Sequence, residues 1–254
     1  MTIPSFSLEG KVALVTGGRR GIGRAIALAF AEAGADVAVC DLVIEDGELG
    51  AVADEIQRLG YRSLAVQTDV TQKSQVDSLV KKVVAELGVI DILVNNVGMV
   101  IAAPVFETSE DNWDEIFNTN LKSYYLCSQA VFKGMVERKK GGIINIASTA
   151  AFRASTLLGA YSISKAGVVM LTRVLAQSLH NHNIRVNAIA PAVVKTEFTR
   201  GIFWEDPESS KEPMRPTDQM IEPGDVVGAA LFLASDASNH ITGHTIVVGG
   251  SDIG

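Results

Sequence analysis

A tyrosine and a lysine four residues apart, Tyr161 and Lys165, lie at the start of a segment with helical periodicity. Spacing of four places both side chains on one helix face, where the lysine ammonium can approach the tyrosine phenol. An unperturbed tyrosine has a pKa of about 10, and a nearby cation lowers that pKa by favouring the phenolate. The pair therefore predicts an acid/base, although the spacing taken alone also fits an exposed pair on a helix surface.

Other polar side chains follow apolar runs that predict buried strands. Ser148 comes after the run that starts at Ile143, and Asn96 and Gly98 follow another such run. Because ligands of parallel α/β sheets bind beyond the carboxyl ends of the strands, we expect these residues at one rim, where a serine hydroxyl can bind a carbonyl oxygen. Asn120 is unfavourable inside a helix, which suggests a polar role such as holding water; a capping or surface asparagine is the alternative.

A glycine-rich segment joins the first apolar run to a helical segment, and it reads Thr16-Gly17-Gly18-Arg19-Arg20-Gly21-Ile22-Gly23. Glycines at positions 17, 21 and 23 let the backbone turn tightly, approach a pyrophosphate and pack the helix against its strand. The helix N-terminus adds unpaired N–H groups and partial positive charge. Because no Gly-Lys-Ser/Thr ends the segment, it does not indicate a nucleoside triphosphatase.

Asp41 ends the second apolar run, about 20 residues beyond Gly21. A carboxylate there can accept both hydroxyls of an adenosine ribose and repels a 2′-phosphate, which favours NAD over NADP. Arg19 and Arg20 favour the opposite choice, because either can neutralise a phosphate, so NADP stays open. A helix cap is the remaining interpretation of Asp41.

The composition limits the class of protein. The chain has 254 residues, 47% of them hydrophobic and 20% charged, with a formal net charge of −7. This content excludes a disordered chain and predicts a single domain over residues 1–254. The acidic balance argues against nucleic acid, and the basic run Arg138-Lys139-Lys140 is interpreted as a solvated helix end.

Targeting and metal signals are missing from the sequence. With no export signal and no apolar stretch of about 18 residues, we expect a cytoplasmic protein that binds no membrane. Cys40 and Cys127 lie in apolar surroundings and predict buried structural thiols. The histidines have no ligand partner at helical spacing, so we expect no metal.

Short β-branched runs alternate with segments of helical period, which is typical of βαβ units. Continuous apolar runs indicate strands covered on both faces. We therefore predict an α/β fold, a Rossmann-like doubly wound parallel sheet of about seven strands with helices on both faces. The predicted strands cover residues 12–16, 36–41, 62–67, 90–95, 142–148, 185–190 and 245–248. The predicted helices cover residues 22–33, 46–59, 72–87, 111–138, 160–180 and 224–234.

Residues 192–223 break this alternation with several prolines and with the aromatic residues Phe198, Phe203 and Trp204. Long irregular insertions in a compact domain are uncommon, so we predict a lid over the substrate. A disordered surface loop is the alternative.

Together these motifs resemble those of the short-chain dehydrogenase/reductase family. The resemblance extends from Leu8 to Gly250 and depends on the order and spacing of the motifs. They are Thr16-Gly-x-x-x-Gly21-x-Gly23, Asp69-Val70, Asn95-Asn96-Val97-Gly98, Asn120, Ser148, Tyr161-x-x-x-Lys165 and Pro191-x-x-x-x-Thr196.

The resemblance implies hydride transfer with a nicotinamide cofactor that interconverts a secondary alcohol and a ketone. Tyr161 would act as acid/base, and Lys165 would bind the nicotinamide ribose and lower the tyrosine pKa. Ser148 would orient the carbonyl, and Asn120 would support a water-linked proton relay. The motifs and the resemblance together give the cofactor-binding residues as Gly17, Arg20, Gly21, Ile22, Gly23, Asp41, Asp69, Val70, Asn96, Gly98, Tyr161, Lys165, Pro191, Val194 and Thr196.

Two other functions stay open. The resemblance also permits a 3-oxoacyl carrier-protein reductase, which would be expected to use NADPH and to need a basic docking patch. Asp41 and the net charge argue against both. The non-enzymatic alternative is a cofactor-sensing binding protein, because a fold alone does not guarantee chemistry.

We expect a substrate pocket that favours a medium-sized apolar or cyclic ketone over a free sugar. Its predicted walls are Met99, Val100, Ala150, Ala151, Phe152 and the three aromatic residues of the lid. Arg153 and Arg200 leave a carboxylate or phosphate group open. The resemblance also suggests a homotetramer joined through helices 111–138 and 160–180, with Tyr124, Tyr125, Phe132, Val168, Met170 and Val174 as candidate contacts.

Overall fold

The computed structural model describes residues 5–200, 202 and 220–249. Within them, seven strands form a single parallel sheet. They are β1 (Val12–Thr16), β2 (Asp36–Asp41), β3 (Ser63–Gln67), β4 (Ile92–Asn95), β5 (Gly141–Ile146), β6 (Ile184–Pro191) and β7 (Thr245–Val248). The spatial order β3-β2-β1-β4-β5-β6-β7 reverses direction between β1 and β4, and sheets of this kind bind ligands at that switch point. The predicted fold class is confirmed.

Helices cover both faces of the sheet. They are α1 (Gly21–Glu32), α2 (Glu48–Arg58), α3 (Lys73–Glu86), α4 (Glu110–Phe117), α5 (Ser123–Arg138), α6 (Gly159–Leu179) and α7 (Val227–Ala234). In the described ranges, none of the helices is long and apolar enough to cross a membrane.

Alternate residues of β1 enter two separate cores, which explains why its sequence is an almost continuous apolar run. Val15 of β1 packs in the core that α1, α2 and α7 cover, while its neighbour Leu14 packs in the core that α3, α5 and α6 cover. Cys40 and Cys127 lie in the second core, where burial raises the pKa of each thiol. Both cysteines are free, as the sequence predicts.

The predicted helix 111–138 is helical throughout, but a π turn divides it into two α-helices. Helix α4 ends at Phe117, a π turn occupies Asn118–Lys122, and α5 begins at Ser123. A π turn inserts one residue into a helix without ending it, so hydrophobic periodicity does not reveal it. Smaller differences concern ends: the strand predicted to reach Ser148 stops at Ile146.

The predicted lid is described only at its two ends. Val194 and Ile221 form a parallel bridge, and the Ile221 N–H donates to the carbonyl of Val193 at 3.0 Å. The two described ends of the predicted lid therefore lie next to each other, just after β6. Two predicted pocket residues lie outside the described residues, Phe203 and Trp204.

Candidate active site

A cleft of about 360 Å³ opens at the carboxyl ends of the strands. The cofactor-binding residues predicted from the sequence line it, with the exception of Gly23. They are Gly17, Arg20, Gly21, Ile22, Asp41, Asp69, Val70, Asn96, Gly98, Tyr161, Lys165, Pro191, Val194 and Thr196. Residues spread over most of the chain therefore meet in one cleft.

The glycine-rich turn between β1 and α1 leaves no room for side chains. Gly17 has a φ of +64°, and a Cβ atom on Gly23 would lie 2.1 Å from the Gly17 carbonyl oxygen. The side-chain amide of Asn96 donates to the carbonyls of Thr16 and Gly17, each at 3.1 Å, which fixes the turn. Helix α1 starts without a capping bond from the Arg20 side chain, so its first N–H groups remain for a phosphate.

Asp41 stands at the end of β2 and lines the same cleft. Its Oδ1 accepts the N–H of Val43 at 3.2 Å and lies 3.6 Å from Arg19 Nε, too far for a hydrogen bond. The other end of the Arg19 guanidinium pairs with Asp46 and Glu48 at the start of α2. Arg19 is therefore already surrounded by three carboxylates.

Tyr161 lies in the first turn of α6 and lines the cleft, with 8% of the residue exposed. Ser148 begins a short 3-10 turn after β5, where its Oγ accepts the N–H of Ala150 at 3.1 Å. Burial raises the pKa of Tyr161 to about 12, and a hydrogen bond from Ser148 partly offsets that rise. Serine and tyrosine hydroxyls are thus paired beside the cleft.

Lys165 follows Tyr161 by one helical turn and is almost fully buried. Its Nζ donates to the Ile146 carbonyl at 2.8 Å and lies 5.9 Å from the centre of the Tyr161 ring. Burial lowers the pKa of Lys165 to about 7. Burial is the largest influence on the pKa of Tyr161, and a lowering of that pKa by Lys165 stays a prediction.

Asn120 occupies the π turn and is fully buried. Its Oδ1 accepts the N–H of Met99 at 2.7 Å, and its Nδ2 donates to the Met99 carbonyl at 2.9 Å and to Ser164 Oγ at 3.0 Å. The side chain therefore joins the segment after β4 to α6. Both N–H groups of the amide are used by protein partners, while its oxygen has one recorded donor, so the role in holding water stays a prediction.

Several cleft residues escaped the sequence analysis. They are Leu42, Thr68, Thr71, Thr119, Ile146, Ala147, Glu197 and Thr199. Leu42, Thr68 and Ala147 directly follow the end of a strand, and that position is the signal that could have found them.

On the substrate side, the ring of Phe198 lies 6.3 Å from that of Tyr161 and lines the cleft. Ala151 and Phe152 belong to the 3-10 turn that follows Ser148, where Phe152 is 41% exposed. Of the predicted pocket walls, Phe198 is recorded against Tyr161, and an apolar pocket stays a prediction.

A family model described as enoyl-(acyl carrier protein) reductase matches residues 17–251. The chain is 39% identical to 2-dehydro-3-deoxy-D-gluconate 5-dehydrogenase of Escherichia coli K12 over 98% of both chains. It is 37% identical to the 3-oxoacyl-[acyl-carrier-protein] reductase FabG of Staphylococcus epidermidis, over 94% of this chain and 98% of that protein. The chain belongs to the short-chain dehydrogenase/reductase family.

Solved structures of this family superimpose closely. A 7α-hydroxysteroid dehydrogenase complexed with NADH and 7-oxo glycochenodeoxycholic acid is 34% identical, with a TM-score of 0.88 over 97% of this chain and 96% of that chain. A gluconate 5-dehydrogenase from Burkholderia cenocepacia J2315 in complex with NADP and tartrate is 30% identical, with a TM-score of 0.87 over the same shares.

The glycine-rich turn at residues 16–23 fits a nicotinamide dinucleotide. Gly17 and Gly23 have no room for side chains, and the bare backbone can approach a pyrophosphate closely. The chain is therefore a nicotinamide-dependent oxidoreductase that interconverts a secondary alcohol and a ketone. Among the described residues, no group of three or more His, Cys, Asp or Glu could hold a metal ion.

Proposed function

We propose that Tyr161 exchanges the proton of the reaction with the substrate oxygen, and that Ser148 orients that oxygen. The observation that carries this assignment is that the Tyr161 phenol lines the cleft, with the Ser148 side chain close enough to lower its pKa. The bound cofactor supplies or accepts the hydride. Lys165 and Asn120 complete the set: Lys165 lies one turn beyond Tyr161, and Asn120 fixes the segment that lines the cleft between β4 and α4.

The protonation state of Tyr161 suits ketone reduction. With a pKa of about 12, the phenol is protonated at neutral pH and can donate its proton to the carbonyl oxygen as the hydride arrives at carbon. Ser148 can donate a second hydrogen bond to that oxygen, where negative charge develops. In alcohol oxidation the same phenol must first lose its proton, so positive charge nearby favours that direction.

The substrate we propose is a medium-sized apolar or cyclic ketone. The apolar ring of Phe198 beside Tyr161 and the half-exposed Phe152 support it. The compound named with the 7α-hydroxysteroid dehydrogenase, 7-oxo glycochenodeoxycholic acid, supports the cyclic ketone, although it also carries a carboxylic acid. A keto sugar acid is the second candidate, supported by the names of the gluconate enzymes.

The experiment that tests both points is turnover on matched ketones with and without a carboxylate, for wild type and Tyr161→Phe. We expect kcat/KM to favour the uncharged member of each pair. We expect Tyr161→Phe to lose most turnover, by about a hundredfold or more, while cofactor still binds. A strong preference for carboxylates would select the sugar-acid candidate, and an active Tyr161→Phe protein would remove Tyr161 from its role.

We propose NAD as the preferred cofactor. Asp41 lies at the β2 end of the cleft, where a carboxylate repels a 2′-phosphate. The pairing of Arg19 with Asp46 and Glu48 supports this choice, because those carboxylates compete with a phosphate for the guanidinium. Other members bind NADH or NADP, so the family alone does not decide between them.

Asp41→Ala should raise kcat/KM with NADPH relative to NADH by about tenfold, because it removes charge repulsion against the phosphate. Asp54→Ala is a matched control, since it removes an exposed carboxylate from α2, outside the cleft. Initial rates with both cofactors give the ratio. A wild-type enzyme that already prefers NADPH would show that Arg19 and Arg20 outweigh Asp41.

Two alternatives are less well supported. The relationship to FabG favours a carrier-protein reductase, but the basic run 138–140 precedes β5, at the opposite end of that strand from Ser148. A cofactor-sensing protein without turnover would need no hydroxyl pair at the cleft. Turnover of the ketone panel excludes the second alternative directly.

A further inference from the structure

Lys165 carries an amine that the protein buries almost completely, since 3% of the residue is exposed. A lysine ammonium has three N–H donors. Within the described residues, two acceptors are recorded for them: the Ile146 carbonyl at 2.8 Å and the hydroxyl of Tyr124 at 3.4 Å. The Tyr124 ring makes a second contact, because Nζ lies 5.3 Å from its centre.

Tyr124 is itself locked in place. It lies in the first turn of α5 and is 1% exposed. Its hydroxyl donates to the Ile146 carbonyl at 3.0 Å, which is the same oxygen that accepts from Lys165. Ammonium, phenol and carbonyl thus form a closed triangle of hydrogen bonds, so the Lys165 amine cannot move without breaking more than one of them.

Two residues that hydrogen-bond α6 from this part of the chain are four positions apart. Asn120 in the π turn bonds Ser164, and Tyr124 bonds Lys165, the next residue of α6. Side chains with this spacing lie on one side of a helix. The segment from the π turn into α5 therefore holds two consecutive residues of α6, just beyond Tyr161.

We propose that Tyr124 is a positioning residue that holds the Lys165 ammonium beside the Tyr161 phenol; its importance for turnover rests on the function proposed above for those two residues. A hydroxyl oxygen and an aromatic face both stabilise a cation, and both effects grow when water is excluded. From sequence alone, Tyr124 is predicted instead as a contact between copies of this chain.

Few groups around Lys165 can stabilise its ammonium. The titratable side chains recorded against it are the phenols of Tyr124 from α5 and Tyr161 from α6. Strand β5 contributes the Ile146 carbonyl, and the loop after β4 contributes Gly98. Because burial favours the neutral amine, with a pKa of about 7, loss of one acceptor should favour it further.

The first test measures Lys165 directly in the ligand-free protein. The ¹³Cε resonances of labelled lysines are followed by NMR over pH, and Lys165→Met assigns the resonance. Tyr124→Phe keeps every ring carbon and removes only the hydroxyl, so it should fold; Tyr61→Phe is the matched control outside the cleft. We expect the midpoint for Lys165 to fall by at least about half a pH unit in Tyr124→Phe, which is about a threefold increase in the ratio of neutral to charged amine. An equal midpoint in wild type and Tyr124→Phe would overturn the proposal.

The second test is the pH dependence of kcat/KM for alcohol oxidation. With less positive charge beside the phenol, the acid limb of the Tyr124→Phe profile should move to higher pH. A loss of rate that is equal at all pH values would assign Tyr124 a merely structural part and contradict the proposal. The NMR midpoint needs no turnover, so a failure of the proposed enzymatic function would not be mistaken for a failure of the Tyr124 contact.

Discussion

Burial acts on Tyr161 and Lys165 in opposite directions: it raises the pKa of the phenol to about 12 and lowers that of the amine to about 7. Both shifts favour the uncharged form of the side chain. The phenol is therefore protonated at neutral pH. A charged Lys165, in contrast, carries a desolvation penalty in the folded protein. That penalty must be visible as a cost in stability.

Lys165→Met should stabilise the fold, and the gain should depend on pH. The pKa of Lys165 is lower in the folded chain, so unfolding takes up a proton between about pH 7 and pH 10.5, and wild-type stability rises over this range. Relative to wild type, Lys165→Met should gain on the order of a few kcal/mol at pH 7 and almost nothing above pH 10.5. Urea unfolding at several pH values measures the difference.

The control for this experiment is Lys133→Met, which removes an exposed ammonium from α5. It should change the free energy of unfolding little at any pH. A Lys165→Met protein whose advantage stays constant from pH 7 to pH 10.5 would mean that the amine is not desolvated as the structure indicates. The same variant should lose activity, so stability and function conflict at this residue.

At the scale of elements, the turn from β1 to α1 depends on close backbone contact. Gly23→Ala would place a methyl group 2.1 Å from the Gly17 carbonyl oxygen, which is fixed by Asn96. We expect this variant to bind NADH at least about tenfold more weakly and to lose about 1–3 kcal/mol of stability, because backbone must shift. Fluorescence titration with NADH and thermal unfolding measure the two effects.

Gly228→Ala supplies the matched control, because nothing lies within 4 Å of its added methyl group in α7. Alanine should stabilise that helix by about 0.5–1 kcal/mol and leave NADH binding unchanged. If Gly23→Ala behaved like Gly228→Ala, the glycine-rich turn would not be packed as closely as the structure indicates.

Local sequence patterns predict some of these elements and not others. Strand β1 and the turn after it could be predicted, because their apolar run and glycine spacing act locally. The π turn could not, since Asn120 is held there by Met99 and Ser164, which are distant in sequence. The contact between Tyr124 and Lys165 escaped prediction for the same reason: it depends on how α5 and α6 pack, which no periodicity contains.

For the whole molecule, alternation of strands and helices was enough to predict the parallel sheet, but not to separate core from surface on α5 and α6. Of the six residues predicted as contacts between copies, Tyr124 and Val168 belong to the core, so those two assignments are wrong. The other four are exposed: Tyr125, Phe132, Met170 and Val174. Helical period alone places all six on long helices and cannot distinguish the two groups.

We propose that the exposed apolar residues of α5 and α6 join copies of this chain into a homotetramer. Met170 and Val174 lie one turn apart and are 55% and 51% exposed, and Tyr125 and Phe132 lie two turns apart on α5. Such paired stripes are costly in water unless another copy covers them.

Light scattering at micromolar concentration should give a tetramer for wild type and smaller species for Met170→Glu with Val174→Glu. Leu59→Glu places the same charge on an exposed leucine outside α5 and α6, so it should keep the wild-type mass. A monomeric wild type would contradict the proposal, since these stripes would then face solvent.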